Sequence, residues 1–391
     1  MLPLEGMQVL DLSQMLPGGL CTQILADLGA EVIKIENPRG GDGFRSVPPM
    51  IGANGSFFHI LNRNKKSITL NIKKPEGREI FLRMAARADV IIENARPGAM
   101  KKLCLAYEDI ESLNPKMIYC SLTGFGQTGP YRERPAHDIN ILAISGILDL
   151  LGEKRRPPIV PAIMISGAGG GGINAALGIM SALLRRERTG MGQYLDVSIL
   201  DGLSPFLALM MSEYLARKEA PVRGESRLGG GHACYNIYET LDGKFLAIGC
   251  LEKKFWEELC RCLKREDLIE DLMAQLPRQT EIIKELKVIF LQKTRDEWMI
   301  LLGQYDICFS PVSSLAEAME DPQIRHRGLW FQTIHPADGD IPQQAFPIKF
   351  SQDQPELRTP PPLLGEHTQV VLKTMGYDES TIENLRTNGV V

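Results

Sequence analysis

Residues 8–36, QVLDLSQMLPGGLCTQILADLGAEVIKIE, decide the fold class. Gln8–Leu12 is a short apolar run, and Pro17-Gly18-Gly19 interrupts it. Leu20–Leu28 then repeats apolar residues at helical spacing, Gly29 ends that run, and Glu31–Glu36 is β-branched and extended. The order is strand, turn, helix, strand, with the apolar strands of a parallel sheet. Downstream, Pro75–Ala88 predicts a helix with its proline in the first turn, and Asp89–Glu93 and Met117–Thr123 predict two more strands. Strands alternating with helices imply an α/β domain with right-handed crossovers. Its ligand crevice is expected at the carboxyl ends of the strands.

Further along, a glycine-rich loop opens a buried helix over Gly169–Arg188, and TGMGQYLDVS at 189–198 reads as turn and strand. An apolar helix is predicted over Ile199–Leu215. Composition shifts at Ala220–Gly231, a polar, glycine-rich linker. Tyr235–Gly249 then reads as a hairpin turning at Asp242-Gly243, followed by amphipathic helices from Glu252 to about Leu302. This is a smaller α+β region. The proline-rich stretch Asp353–Leu364 is expected to run extended into a last helix near Gly365-Glu366-His367.

The 391 residues suit two or three domains, and 44% apolar with 24% charged residues exclude a disordered, collagenous or disulfide-stapled chain. With 44 basic against 48 acidic residues there is no broad cationic field for nucleic acid. No uninterrupted apolar run approaches the ~18–20 residues of a membrane span, since Ile163–Leu184 carries five glycines within Ser166–Gly172, then Asn174. The N-terminus lacks a signal-peptide pattern. The eight cysteines (Cys21, Cys104, Cys120, Cys234, Cys250, Cys260, Cys262 and Cys308) show no metal-ligand spacing with histidine. Buried thiols in a reducing, cytoplasmic setting are the expectation, with no metal and no membrane partner.

The first turn, SQMLPGGLC, has neither G-x-G-x-x-G nor a P-loop lysine, so a dinucleotide or ATP fingerprint is absent. Basic residues do recur near predicted strand ends: Arg39 and Arg45, then Arg63, Lys65 and Lys66, then Lys73, then Arg96, Lys101 and Lys102. Any one reads as an ordinary solvated charge. Together they suit a ligand with several phosphates, which needs cations converging from separate loops. His137, in RPAHDINILAISG, lies between a polar loop and an apolar run and reads as either a core histidine or a proton-transfer group. Asp138 suits orientation of that ring or a helix cap, and Glu252 a first-turn residue favoured by the helix dipole.

At RPAHDINILAISG and GGGGINAALGIMSALLRRERTGMGQYLDVSILDG the chain resembles the family III CoA-transferases (the CaiB/BaiF superfamily), and more closely their α-methylacyl-CoA racemase branch. LEGMQVLDLS, LADLGAEVIKIENP, NKKSITLNIKKPEGRE, ADVIIENARPG, GFGQTGP, DGKFLAIG and GEHTQVVLKTMG extend the resemblance nearly end to end. It implies a large Rossmann-like parallel-sheet domain built from both chain ends, a small α+β domain, and an interlocked homodimer. On this chain the partition becomes 1–220, 221–328 for the small domain with its linkers, and 329–391 returning to the large domain. The implied ligand is an acyl-CoA, with coenzyme A as substrate carrier and no prosthetic group. The positions matched to its contacts are Arg39, Leu70, Asn71, Ile72, Lys73, Asn94, Arg96, Lys102, Ala136, Ile139, Asn140 and Ile141. The resemblance makes His137 an acid/base supported by Glu252, with Asp138 in orientation. The reaction it implies is deprotonation α to the thioester and reprotonation on either face.

One departure is sharp. The family's catalytic Asp falls at Gly167 by racemase spacing, or at Ala168 by transferase spacing, and no acidic residue lies between Lys154 and Glu187. A transferase needs that carboxylate as nucleophile, so ordinary CoA transfer is expected to fail. A racemase loses one of two bases and keeps His137. Three readings stay open: an isomerase of 2-methylacyl-CoA-like thioesters, a CoA-transferase by descent, and an acyl-CoA-binding protein without turnover.

Overall fold

The computed structural model describes residues 1–391. They divide into two compact units, one of residues 1–142, 163–205 and 322–391, the other of 143–162 and 206–321. Compared with the partition expected from sequence, 143–162 and 206–220 move from the large unit to the smaller one, and 322–328 move from the smaller to the large.

The large unit is organised on six parallel strands: β1 (Gln8–Asp11), β2 (Glu31–Glu36), β3 (Lys65–Thr69), β4 (Val90–Glu93), β5 (Ile118–Thr123) and β6 (Gln193–Ser198). Their spatial order is β3-β2-β1-β4-β5-β6. Val9 of β1 is in register with Val32 on one side and Val90 on the other, so the strand order reverses between β1 and β4. In a doubly wound sheet a crevice opens at such a reversal, outside the carboxyl ends of the strands. One face of the sheet buries Leu10, Ile33, Ile68 and Ile91 with Phe81, and the C-terminal residues Leu372, Ile382 and Val391 complete that core.

The helix after β1 is α1 (Met15–Asp27), and it starts five residues before the expected Leu20. Pro17 does not break it, because the first turn of a helix has no internal acceptors for its N–H groups. The crossover helix α2 runs Pro75–Ala85. The expected glycine-rich loop is also helical. Ser166–Ile173 forms a π-helical segment continuous with the α-helix α4 (Asn174–Thr189), α3 being Asp138–Ser145. Together Ser166–Thr189 make 24 residues, long and apolar enough by composition to cross a membrane, with half of the apolar stretch buried in the protein. The glycines allow close packing on α1: a Cβ at Gly172 would stand 2.8 Å from the Pro17 carbonyl oxygen, and one at Gly170 2.5 Å from that of Ile199.

The smaller unit contains the expected hairpin, β7 (Tyr235–Glu239) with β8 (Phe245–Gly249), and a third strand β9 (Phe309–Pro311) pairs with β8. The helix expected over Ile199–Leu215 is a 3-10 helix over Asp201–Leu207 followed by an α-helix over Ala208–Arg217. Tyr238, Trp256, Phe290 and Trp298 form the core of the smaller unit, and the Trp256 indole N–H donates to the Leu268 carbonyl at 2.9 Å. All eight cysteines are free thiols; six are buried, and Cys104 is exposed.

Candidate active site

A cavity of about 560 Å³ opens at the carboxyl ends of β1, β4, β5 and β6. Its walls are Leu12, Leu16 and Pro17 after β1, Asn94–Pro97 after β4, Leu122–Phe125 at the end of β5, Arg132–Asp138, and Ser166 and Gly167. Across the strand-order reversal the Gln14 N–H donates to Asn94 Oδ1 (3.0 Å), and Asn94 Nδ2 donates back to the Gln14 carbonyl (2.8 Å). That pair of bonds fixes the two loops that form the mouth.

His137 sits at the helix-capping position before α3. Its carbonyl accepts from the Asn140 N–H, and the Asn140 side chain reaches back to accept from the His137 N–H at 3.0 Å. The backbone is thus held from both sides, while the imidazole makes no protein hydrogen bond and lines the cavity. Asp138 does not orient that ring. Its Oδ1 accepts from the Gly167 N–H (2.8 Å) and from the Ser166 hydroxyl (2.5 Å), at the head of the π-helical segment. Ser166 is fully buried, so the carboxylate is moored to the interior while the side chain borders the cavity. A Cβ at Gly167 would stand 3.6 Å from that same Oδ1. The gap at 167 therefore does have a carboxylate beside it, carried by a neighbouring helix.

Of the positions matched to acyl-CoA contacts, Asn94, Arg96, Ala136 and Ile141 line the cavity with His137, Asp138 and Gly167. Ile139 is exposed and the Asn140 side chain bonds back to the His137 N–H; neither is in the wall. Leu70, Asn71, Ile72 and Lys73 do not line it either. β3 ends at Thr69, Leu70 is buried in the core, and the Asn71 N–H is spent on the Val390 carbonyl. Arg39 and Lys102 are exposed and outside the wall. Glu252 belongs to the smaller unit, where it caps the helix Lys253–Cys262 with an exposed side chain that makes no capping hydrogen bond.

The basic cluster read from the sequence splits in three, with Lys66 half-buried and paired with Glu31. Arg45 pairs with Glu36 (2.7 Å) and Arg63 with Asp27 (2.5 Å), both buried. Lys65 is buried as well, donating to the Gly19 carbonyl and Asn62, and burial brings its pKa down to about 8. These three hold the fold together and are closed to a ligand. Arg39, Lys73, Arg96, Lys101 and Lys102 are exposed and form no ion pair. Sequence reasoning missed Arg132 and Arg134, two further cations in the wall, although YRERPAHDIN places them just before His137.

An α/β protein with a doubly wound sheet, and with an imidazole and a moored carboxylate in the crevice at its switch point, is defined by these observations. The chain matches the sequence profile of CoA-transferase family III over residues 4–368, and it belongs to that family. It is 36% identical to mouse succinyl-CoA:glutarate CoA-transferase, over 100% of this chain and 91% of that protein. Against human α-methylacyl-CoA racemase the identity is 33%, over 99% and 97%. A CAIB/BAIF family protein from Brucella suis has a similar structure, with a TM-score of 0.84, 33% identity, and coverage of 96% of this chain and 99% of that one. Transferases and racemases are thus matched nearly equally well.

Proposed function

We propose that this protein abstracts and returns the proton on the carbon α to a CoA thioester, with His137 as the acid/base and a 2-methylacyl-CoA-like substrate. The observation that carries this reading is the unpaired His137 imidazole in a largely apolar crevice. An acyl chain suits walls of Leu12, Leu16, Pro17 and Phe125, and a thioester α proton is acidic enough for an imidazole once the enolate is stabilised. The cationic residues Arg96, Arg132 and Arg134 in the same wall suit the CoA phosphates. Glu252 is the proposed support of the imidazole. The working form is proposed to be an interlocked homodimer, as the family resemblance implies.

The test is exchange of the α proton of 2-methylacyl-CoA in D₂O, followed by mass spectrometry and chiral analysis. Wild-type protein is expected to exchange, and His137→Gln to lose about 10²–10⁴-fold of that rate. Acyl-CoA binding without wild-type exchange refutes the reading. A second reading, CoA transfer between carboxylic acids, is favoured by Asp138, since a moored carboxylate with a free oxygen is what a nucleophile in that reaction requires. Movement of CoA from succinyl-CoA to labelled glutarate would establish it, the donor and acceptor being those in the name of the mouse relative.

A further inference from the structure

We infer that Asp138 is the second acid/base of this site, its carboxylate doing from α3 what no side chain at position 167 can do. The inference rests on the proton-transfer reading above and deepens it. Three observations carry it. Asp138 Oδ1 takes both donors at the head of the π-helical segment, the Gly167 N–H and the Ser166 hydroxyl. A Cβ at 167 would stand 3.6 Å from that oxygen, in ordinary van der Waals contact, so the Asp138 carboxyl lies beside the place where a side chain at 167 would begin. Asp138 Oδ2 accepts no hydrogen bond from the protein, and the residue borders the cavity. A carboxylate tied by one oxygen and free at the other is positioned for proton transfer, not merely for capping. His137 and Asp138 stand at successive positions entering a helix. Both side chains line the same cavity, where a bound substrate carbon can meet them.

The proton count closes. Starting from imidazolium and carboxylate, Asp138 Oδ2 takes the α hydrogen as a proton and the C–H electron pair becomes the enolate. His137 then gives its proton to the opposite face. The site is left with neutral imidazole and carboxylic acid, one proton in total as before, which is the form that runs the reaction from the other enantiomer. Neither metal nor redox partner enters this step.

The test uses full-length protein, separate (2R)- and (2S)-2-methylacyl-CoA in D₂O, and two readouts, α exchange and inversion. Asp138→Asn keeps an oxygen for the Gly167 and Ser166 donors. It is expected to lose inversion by at least 10²-fold while slower exchange with retention persists through His137. Adding Gly167→Asp to Asp138→Asn is expected to bring inversion back to within tenfold of wild type. Ser166→Ala, which leaves both acid/base groups in place, is expected to lower inversion more than exchange, and keeps the test decisive if Asp138→Asn folds poorly. If wild type exchanges but these variants lower exchange and inversion in equal proportion, or leave both unchanged, or if Gly167→Asp restores nothing, this assignment alone is overturned. No exchange by wild-type protein that binds the thioester overturns the proton-transfer reading and this one together.

Discussion

Glu36 shows how a cation that suits a phosphate in the sequence, Arg45, becomes structural in three dimensions. Glu36 ends β2, and both its oxygens are taken, by Arg45, by the Ser67 hydroxyl and by the Asp42 N–H. Arg45 in turn stacks on Phe58, 3.7 Å from the ring centre. Burial pushes the Glu36 carboxyl up, but Arg45, Lys34 and Ser67 outweigh it and hold its pKa below the ordinary 4.5. A carboxyl depressed in the folded state binds its proton more readily when unfolded. Its stabilisation is therefore complete above about pH 4.5 and is lost as pH falls through the lower folded value. Glu36→Gln leaves Arg45 buried and unpaired. It is expected to cost about 3–5 kcal/mol at pH 7 in urea unfolding. The same variant should flatten the decline of stability below pH 4.5, and an unchanged acid limb would contradict this account. The sequence shows the charges of Arg45, Arg63 and Lys65 but not their partners. Glu36, Asp27 and Asn62 lie 9, 36 and 3 positions away, and only folding brings those groups within bonding distance.

At the scale of elements, the contact between α1 and the Ser166–Ile173 segment decides the site. Gly170 and Gly172 lie where any Cβ would press on a carbonyl oxygen, of Ile199 or of Pro17, whereas the nearest neighbour of a Cβ at Gly167 is the Leu16 side chain at 3.3 Å. Backbone cannot yield as a leucine methyl can. Gly170→Ala is accordingly expected to cost about 1–3 kcal/mol by overpacking, and Gly167→Ala under 1 kcal/mol, in paired denaturant titrations. Equal costs would show that the glycine run is not there for close approach. The alternation of strands and helices was readable from residue 8 onward because apolar periodicity encodes it directly. The start of α1 was not, since Pro17-Gly18-Gly19 reads as a break wherever first-turn geometry is unknown. The π-helical turn was hidden for the same reason: a run of glycines carries no periodicity.

For the molecule as a whole, Phe206, Leu209 and Leu215 are each more than half exposed in the single chain, as are Ile173, Leu177 and Leu184. Leu177 and Leu184 stand seven positions apart on one face of α4, and an exposed apolar face of this kind marks an association surface. Light scattering on the purified protein is expected to give twice the 43.4 kDa chain mass, and a monomer at micromolar concentration would refute the proposed homodimer. Sequence by itself determined the α/β class, the position of the opening strands, the family, and His137 and Asp138 as the residues to examine. Those features are local in the chain, written in hydrophobic periodicity and in short motifs. Only the tertiary structure decided which cations are free and which are consumed in buried pairs, which acyl-CoA contact positions reach the crevice, and that the carboxylate of α3 lies against Gly167. Each of those is a distance between side chains or segments that packing sets, and local periodicity does not encode it.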